Sequence, residues 1–161
     1  MSLTSDTPMA VSSPPAAAVE GLCPAELDAW RGLLRVHASV LKALDAELED
    51  AHGLPLTSYE VLIQLADAPD CKMRMCDLAD SVLLSRSGMS RLVDRLERDG
   101  LLCRAACSND ARGAFACITP AGRELLDQAR PTHLAGIRRR FLAQFSEDEL
   151  AQLAVFWQRL S

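Results

Sequence analysis

Residues 85–100 read SRSGMSRLVDRLERDG, and the fold turns on them. Met89, Leu92, Val93 and Leu96 recur at the three- and four-residue spacing of one helix face, while Ser87, Ser90, Arg91, Asp94, Arg95 and Arg98 fall on the other. Gly100 stands where a helix commonly closes on a left-handed residue. Just upstream, DLADSVLL (77–84) reads as a helix of roughly two turns whose buried face is Leu78, Ala79 and Val82. The link LLSRS between the two helices is short, and two short helices so joined make a helix-turn-helix.

Downstream, LLCRAAC (101–107) and AFACIT (114–119) read as strands, with the turn residues SNDARG between them. A β-hairpin directly after the second helix is a wing. Thr119-Pro120 then opens a helix expected to reach residue 143, with Pro131 as a point of kinking. Ser146 and Glu149 form a capping-box pattern ahead of a stripe of Leu150, Leu153, Trp157 and Leu160. Upstream, Thr57 and Glu60 suggest a second capping box before the run from Val61 to Ala66, Pro69 stops that helix, and CKMRM (71–75) is a connector. Earlier still, Leu27, Trp30, Leu34, His37, Leu41, Leu44 and Leu48 make a long helical seam that begins near Pro24 and closes at Gly53-Leu54-Pro55. The expected fold is mainly α with a small β-hairpin wing. Residues 1–22 read as a flexible tail and 23–161 as a single domain.

Composition narrows the functional classes. The 161 residues are 49% apolar, which allows a packed core, yet no apolar stretch approaches the ~18 residues of a membrane span. Residues 1–20 hold no Lys or Arg and no concentrated apolar run, so a secretory signal is not expected and the cytoplasm is. Six cysteines in a chain of this size are expected as reduced thiols. Net charge is −5, unevenly spread: residues 1–85 carry 5 basic and 13 acidic side chains, residues 86–112 carry 6 and 4. A positive stretch on an acidic body suits local phosphate binding. No GxSxG, HExxH, phosphate loop or dinucleotide fingerprint is present, so no enzyme and no cofactor are expected. CKMRMC spaces its cysteines by four residues and His37, His52 and His133 lack ligand spacing, so no metal site is expected; His37 falls on the apolar seam as a core histidine.

RMCDLADSVLLSRSGMSRLVDRLERDGLL (74–102) followed by NDARGAFACITPAGRELL (109–126) resembles the MarR family of winged helix-turn-helix regulators. The similarity runs over about residues 24–160, and Asp110-x-Arg112 with the TPAGRELL helix start are its most specific marks. Cys76 departs from it, standing at a helix start where Ser or Thr is usual, which weakens that cap. The resemblance implies a homodimer whose first, fifth and sixth helices interlock, here about 24–52, 120–143 and 147–160. It places the winged helix-turn-helix at about 56–119. Two symmetry-related helices about 34–36 Å apart then imply a palindromic operator in double-stranded DNA.

Ser85, Arg86, Ser87, Ser90, Arg91 and Arg95 are the candidate major-groove set, since Arg binds guanine bidentately and Ser and Arg anchor phosphates. The same residues would suit an ordinary solvated face; their place after a short helix and before a wing favours DNA. Arg112 resembles the family's minor-groove arginine, with Asp110 pinning its guanidinium. The resemblance further implies a small aromatic or anionic effector, for which Trp30, Tyr59 and Glu60 are the candidates, though each also suits a plain structural position. Cys23, ahead of the first helix, resembles a sensing cysteine, and Cys103 and Cys117 would face each other if hairpin pairs sum to about 220. The expected function is a DNA-binding repressor released by an effector. The alternatives are a thiol-based redox regulator of the same fold and a winged-helix module that binds only protein.

Overall fold

The computed structural model describes residues 21–82, 84–106 and 114–160. The segment read as a tail therefore lies outside the described residues as far as residue 20. The chain divides into two compact units, Met1–Arg35 and Val36–Ser161. In the first, α1 (Pro24–His52) begins, its Leu27 N–H donating to the Cys23 carbonyl at 3.0 Å. Trp30, Leu33 and Leu34 are exposed along it.

The second unit holds the rest of α1, then α2 (Leu56–Asp67), a 3-10 turn (Pro69–Cys71), β1 (Lys72–Arg74), α3 (Met75–Ser81), α4 (Arg86–Arg98), β2 (Leu102–Ala106), β3 (Ala114–Ile118), α5 (Pro120–Arg140), a second 3-10 turn (Leu142–Gln144) and α6 (Glu147–Trp157). Its core has two parts that share α2. Val61 and Leu65 join Leu78, Met89, Val93, Leu96, Leu102 and Ala116 on one side. Tyr59 and Leu62 join Leu44, Leu48, Leu54, Leu126 and Ala129 on the other, with Leu101 and Ile118 packed against both. Each fully buried Leu or Val contributes about 1.5–3 kcal/mol by leaving water, so α2 fastens the helix-turn-helix and its sheet to the helices that flank it. Of the seam read along α1, only Leu44 and Leu48 are buried; Leu34, His37 and Leu41 are exposed, so His37, read as a core histidine, lies outside the core of the single chain.

Four local expectations change. α2 starts at Leu56 without a Thr57–Glu60 capping box; the Leu56 N–H is satisfied instead by the Asp45 carboxylate at 2.8 Å, reached from α1. Residues 72–74, read as connector, are an edge strand antiparallel to β3, giving the sheet order β1-β3-β2. α3 begins two residues earlier than read and ends at Ser81, so Cys76 is its second residue and not its cap. α5 stops at Arg140 and α6 at Trp157, three residues short in each case, while α5 runs unbroken past Pro131. The Ser146–Glu149 capping box forms as read.

The wing is closed at its base. α4 ends in a Schellman arrangement in which Leu101 N–H donates to Leu96 O at 2.9 Å and Gly100 N–H to Glu97 O at 3.0 Å, with Gly100 at φ +74°. Thr119 N–H then donates to Leu101 O at 3.1 Å, its hydroxyl donates to Gly100 O at 2.7 Å, and the same oxygen accepts from Gly122 N–H at 3.1 Å. Strand β2 pairs with β3 in the register Leu102↔Ile118, Cys103↔Cys117, Arg104↔Ala116 and Ala105↔Phe115, the pairing that sums to 220. No helix among the described residues is long and apolar enough to cross a membrane.

Candidate nucleic-acid interface

Ser85 caps α4, its hydroxyl oxygen accepting from Gly88 N–H at 3.1 Å and lying 3.3 Å from Ser87 Oγ. Met89, Leu92, Val93 and Leu96 bury one face of the helix. The helical period then turns Arg86, Ser87, Ser90 and Arg91 outward, and all four are exposed. Arg91 Nε donates to the Ser87 carbonyl at 3.3 Å, which lays its side chain back along this face. Arg95 is engaged elsewhere: Nη2 donates to Oγ of buried Ser58 on α2 at 2.8 Å. Of the six residues read as a groove-facing set, the structure groups Arg86, Ser87, Ser90 and Arg91, gives Ser85 a capping role, and gives Arg95 a helix-to-helix bond. Asp110 and Arg112 lie outside the described residues.

Sequence reasoning missed Arg104. From β2 its Nη2 bonds Asp94 at 2.6 Å and its Nη1 bonds Glu97 at 2.5 Å, while its backbone N–H donates to Glu97 Oε1 at 3.1 Å. Nη2 also lies 3.5 Å from the Ser90 carbonyl. One guanidinium therefore ties the hairpin to α4 and neutralises two carboxylates that would repel phosphate from that helix. The signal was present: Asp94 and Glu97 are three residues apart on one face, and Arg104 is the first cation after the turn.

Lys72 and Arg74 also went unread. They flank the Phe115 ring at 5.9 and 5.7 Å from its centroid, beside a groove of about 410 Å³ lined by Gln64, Asp67, Asp77 and Met73. Next to it, Asp70 and Cys71 both adopt left-handed backbone, at φ +53° and +55°, and Arg123 Nη2 reaches Cys71 Sγ at 2.9 Å.

Among the effector candidates, Tyr59 is buried, its ring 4.5 Å from that of His133, and burial pushes its hydroxyl pKa up. Glu60 is half-buried, and loss of water raises its carboxyl above the usual range. Trp30 lies in the first unit and is 54% exposed. Cys23 is exposed; its N–H donates to Glu26 at 2.7 Å, a bond that holds the Glu26 carboxyl below its usual range. Cys103 and Cys117 are opposed on the sheet, the first exposed and the second partly covered. Among the described residues no group of three or more His, Cys, Asp or Glu is placed to hold a metal ion.

Comparison with known proteins identifies relatives of this fold. A sequence profile of the MarR family matches residues 52–113. The HTH-type transcriptional regulator YkoM of Bacillus subtilis, itself uncharacterised, is 31% identical over 137 residues, covering 83% of this chain and 87% of its own. The homoprotocatechuate degradative operon repressor of Escherichia coli is 30% identical over 102 residues, 63% of this chain and 67% of its own. Among solved structures, Sco3205, a MarR family transcriptional regulator from Streptomyces coelicolor in complex with DNA, superposes with a TM-score of 0.83 at 29% identity, covering 88% of this chain and 89% of that one.

Proposed function

This chain belongs to the MarR family, and from that premise we propose that it is a dimeric, sequence-specific regulator that represses by occupying a palindromic site in double-stranded DNA. The observation that carries the reading is the outward row Arg86, Ser87, Ser90 and Arg91 on a helix whose acids are already neutralised by Arg104. Arginine on such a helix reads guanine edges, and serine hydroxyls with backbone groups hold phosphates. Arg112, which the sequence sets in the wing turn, serves the minor groove, with Asp110 as its partner. Arg95 supports the interface from behind by holding α4 against α2. The protein acts in the cytoplasm without catalysing a reaction. An effector, small and aromatic or anionic, shifts it between binding-competent and incompetent states, with Trp30, Tyr59 and Glu60 the residues to probe first.

The test is selection of bound duplexes from a random pool, followed by anisotropy titration of the enriched sequence. A two-fold symmetric site is expected, with affinity that falls steeply with salt. Arg86→Ala should cost about 1–3 kcal/mol and relax the preference at one base pair. Arg86→Ala and Arg112→Ala proteins that fold normally and bind like the parent would reject the groove assignment. A parent that enriches no sequence would favour a protein-binding module.

A further inference from the structure

The register of the sheet sets Cys103 directly opposite Cys117, with Lys72 opposite Cys117 from the other side. Directly opposed residues of antiparallel strands project to one face. Here it is the outer one, because the neighbouring positions Leu102 and Ala116 are buried in the core. Opposed Cα atoms are about 4.5–5.5 Å apart in such ladders, inside the window of about 4.4–6.8 Å that a disulfide spans. Among the described residues no third metal-ligating group joins them, which leaves the chemistry of two sulfurs.

We propose that Cys103 and Cys117 are a reversible redox pair: hydrogen peroxide closes them to a cross-strand disulfide, and closure lowers affinity for DNA by disturbing the hold of Arg104 on α4. The second half of this statement rests on the DNA-binding reading above. Cys103, the exposed member, meets the oxidant. Its thiolate attacks one peroxide oxygen, the O–O bond breaks, and a sulfenic acid and water result. The Cys117 sulfur then attacks the oxidised sulfur, the S–S bond forms, and hydroxide leaves and takes up a proton. Two thiols and one peroxide become one disulfide and two waters, the two electrons passing from sulfur to oxygen. Burial foremost, and then the adjacent Cys103, push the Cys117 thiol up, while the Lys72 ammonium opposes them; this suits the second, intramolecular attack better than the first. Arg104 follows Cys103 and points to the opposite face, where Asp94 and Glu97 of α4 hold it. A bond that resets the strand spacing at Cys103 moves Arg104 with it, and so reaches the helix that carries Arg86 and Arg91.

The experiment treats the full chain, reduced and then exposed to one equivalent of hydrogen peroxide, and reads two outputs. Digestion without reductant should yield a peptide pair linking Cys103 to Cys117. It should form in the parent and in a variant with Cys23, Cys71, Cys76 and Cys107 replaced by Ser, and be absent in Cys103→Ser and Cys117→Ser. The duplex selected by the reduced protein should bind at least tenfold more weakly after oxidation, with recovery on adding dithiothreitol. No linked peptide, a link to another cysteine or between chains, or a linked protein of unchanged affinity would overturn the proposal and leave the DNA-binding reading standing. Reduced protein that selects no duplex would remove that reading and the regulatory half with it, while the linked peptide still decides the chemistry.

Discussion

A methyl group at residue 122 would sit 2.0 Å from the Leu101 carbonyl oxygen and 2.9 Å from its carbon. The obstacle is backbone at the base of the wing, which no rotamer change relieves. Gly122→Ala should therefore destabilise the protein by about 3 kcal/mol, at the upper end of overpacking costs, in a urea melt. His133 raises a different matter. Its Nδ1 is buried with no hydrogen-bond partner among the described residues, and desolvation lowers its pKa from the usual 6.5. The unfolded chain then takes up a proton at a pH where the folded chain refuses it. Stability attached to this residue is full above about 6.5 and declines as pH falls from there towards the lower folded value, where the loss levels off. The difference in urea midpoint between pH 7.5 and 5.5 should be smaller in His133→Phe than in the parent; equal differences would clear His133 of the effect.

Arg104 couples one element to another. Its ion pairs are partly exposed, so Arg104→Met should cost only about 1 kcal/mol of global stability. It should weaken DNA binding by more than that loss explains, because Asp94 and Glu97 would stand uncompensated on α4. Anisotropy and a urea melt on the same preparation separate the two effects. What was legible beforehand follows from how local each element is. α4 was plain because its apolar period, its Ser85 cap and its Gly100 stop lie within one short stretch. The pairing of Cys103 with Cys117 needed only a hairpin register. β1 escaped because three residues become a strand only by pairing with β3, more than forty positions on. The start of α2 misled because Asp45, which satisfies Leu56, is 11 residues upstream, and Arg95 because its partner Ser58 is 37 away. Tertiary bonds of this kind leave no periodic trace.

For the whole molecule, the large apolar side chains left in water are concentrated at the two ends of the chain. Trp30, Leu33, Leu34, Val36 and Leu41 are exposed on α1, and Val155, Phe156 and Leu160 at the C-terminal end. Patches of this kind on a folded chain call for a partner, and a second copy is the expected one. Sedimentation at low micromolar concentration should give a single species of about twice the 17.5 kDa chain; a stable, fully folded monomer would refute this. The closed base of the hairpin has a consequence of another sort. Because Thr119 is bonded back to both Gly100 and Leu101 before the chain enters α5, the two ends of the hairpin meet whatever lies between them. Doubling the intervening loop costs only about 0.6 kcal/mol in closure entropy. The stability of the body is thus insulated from the length of the segment between Ala106 and Ala114, so a change of length there should register in DNA binding through Arg112 and leave a urea melt almost unmoved.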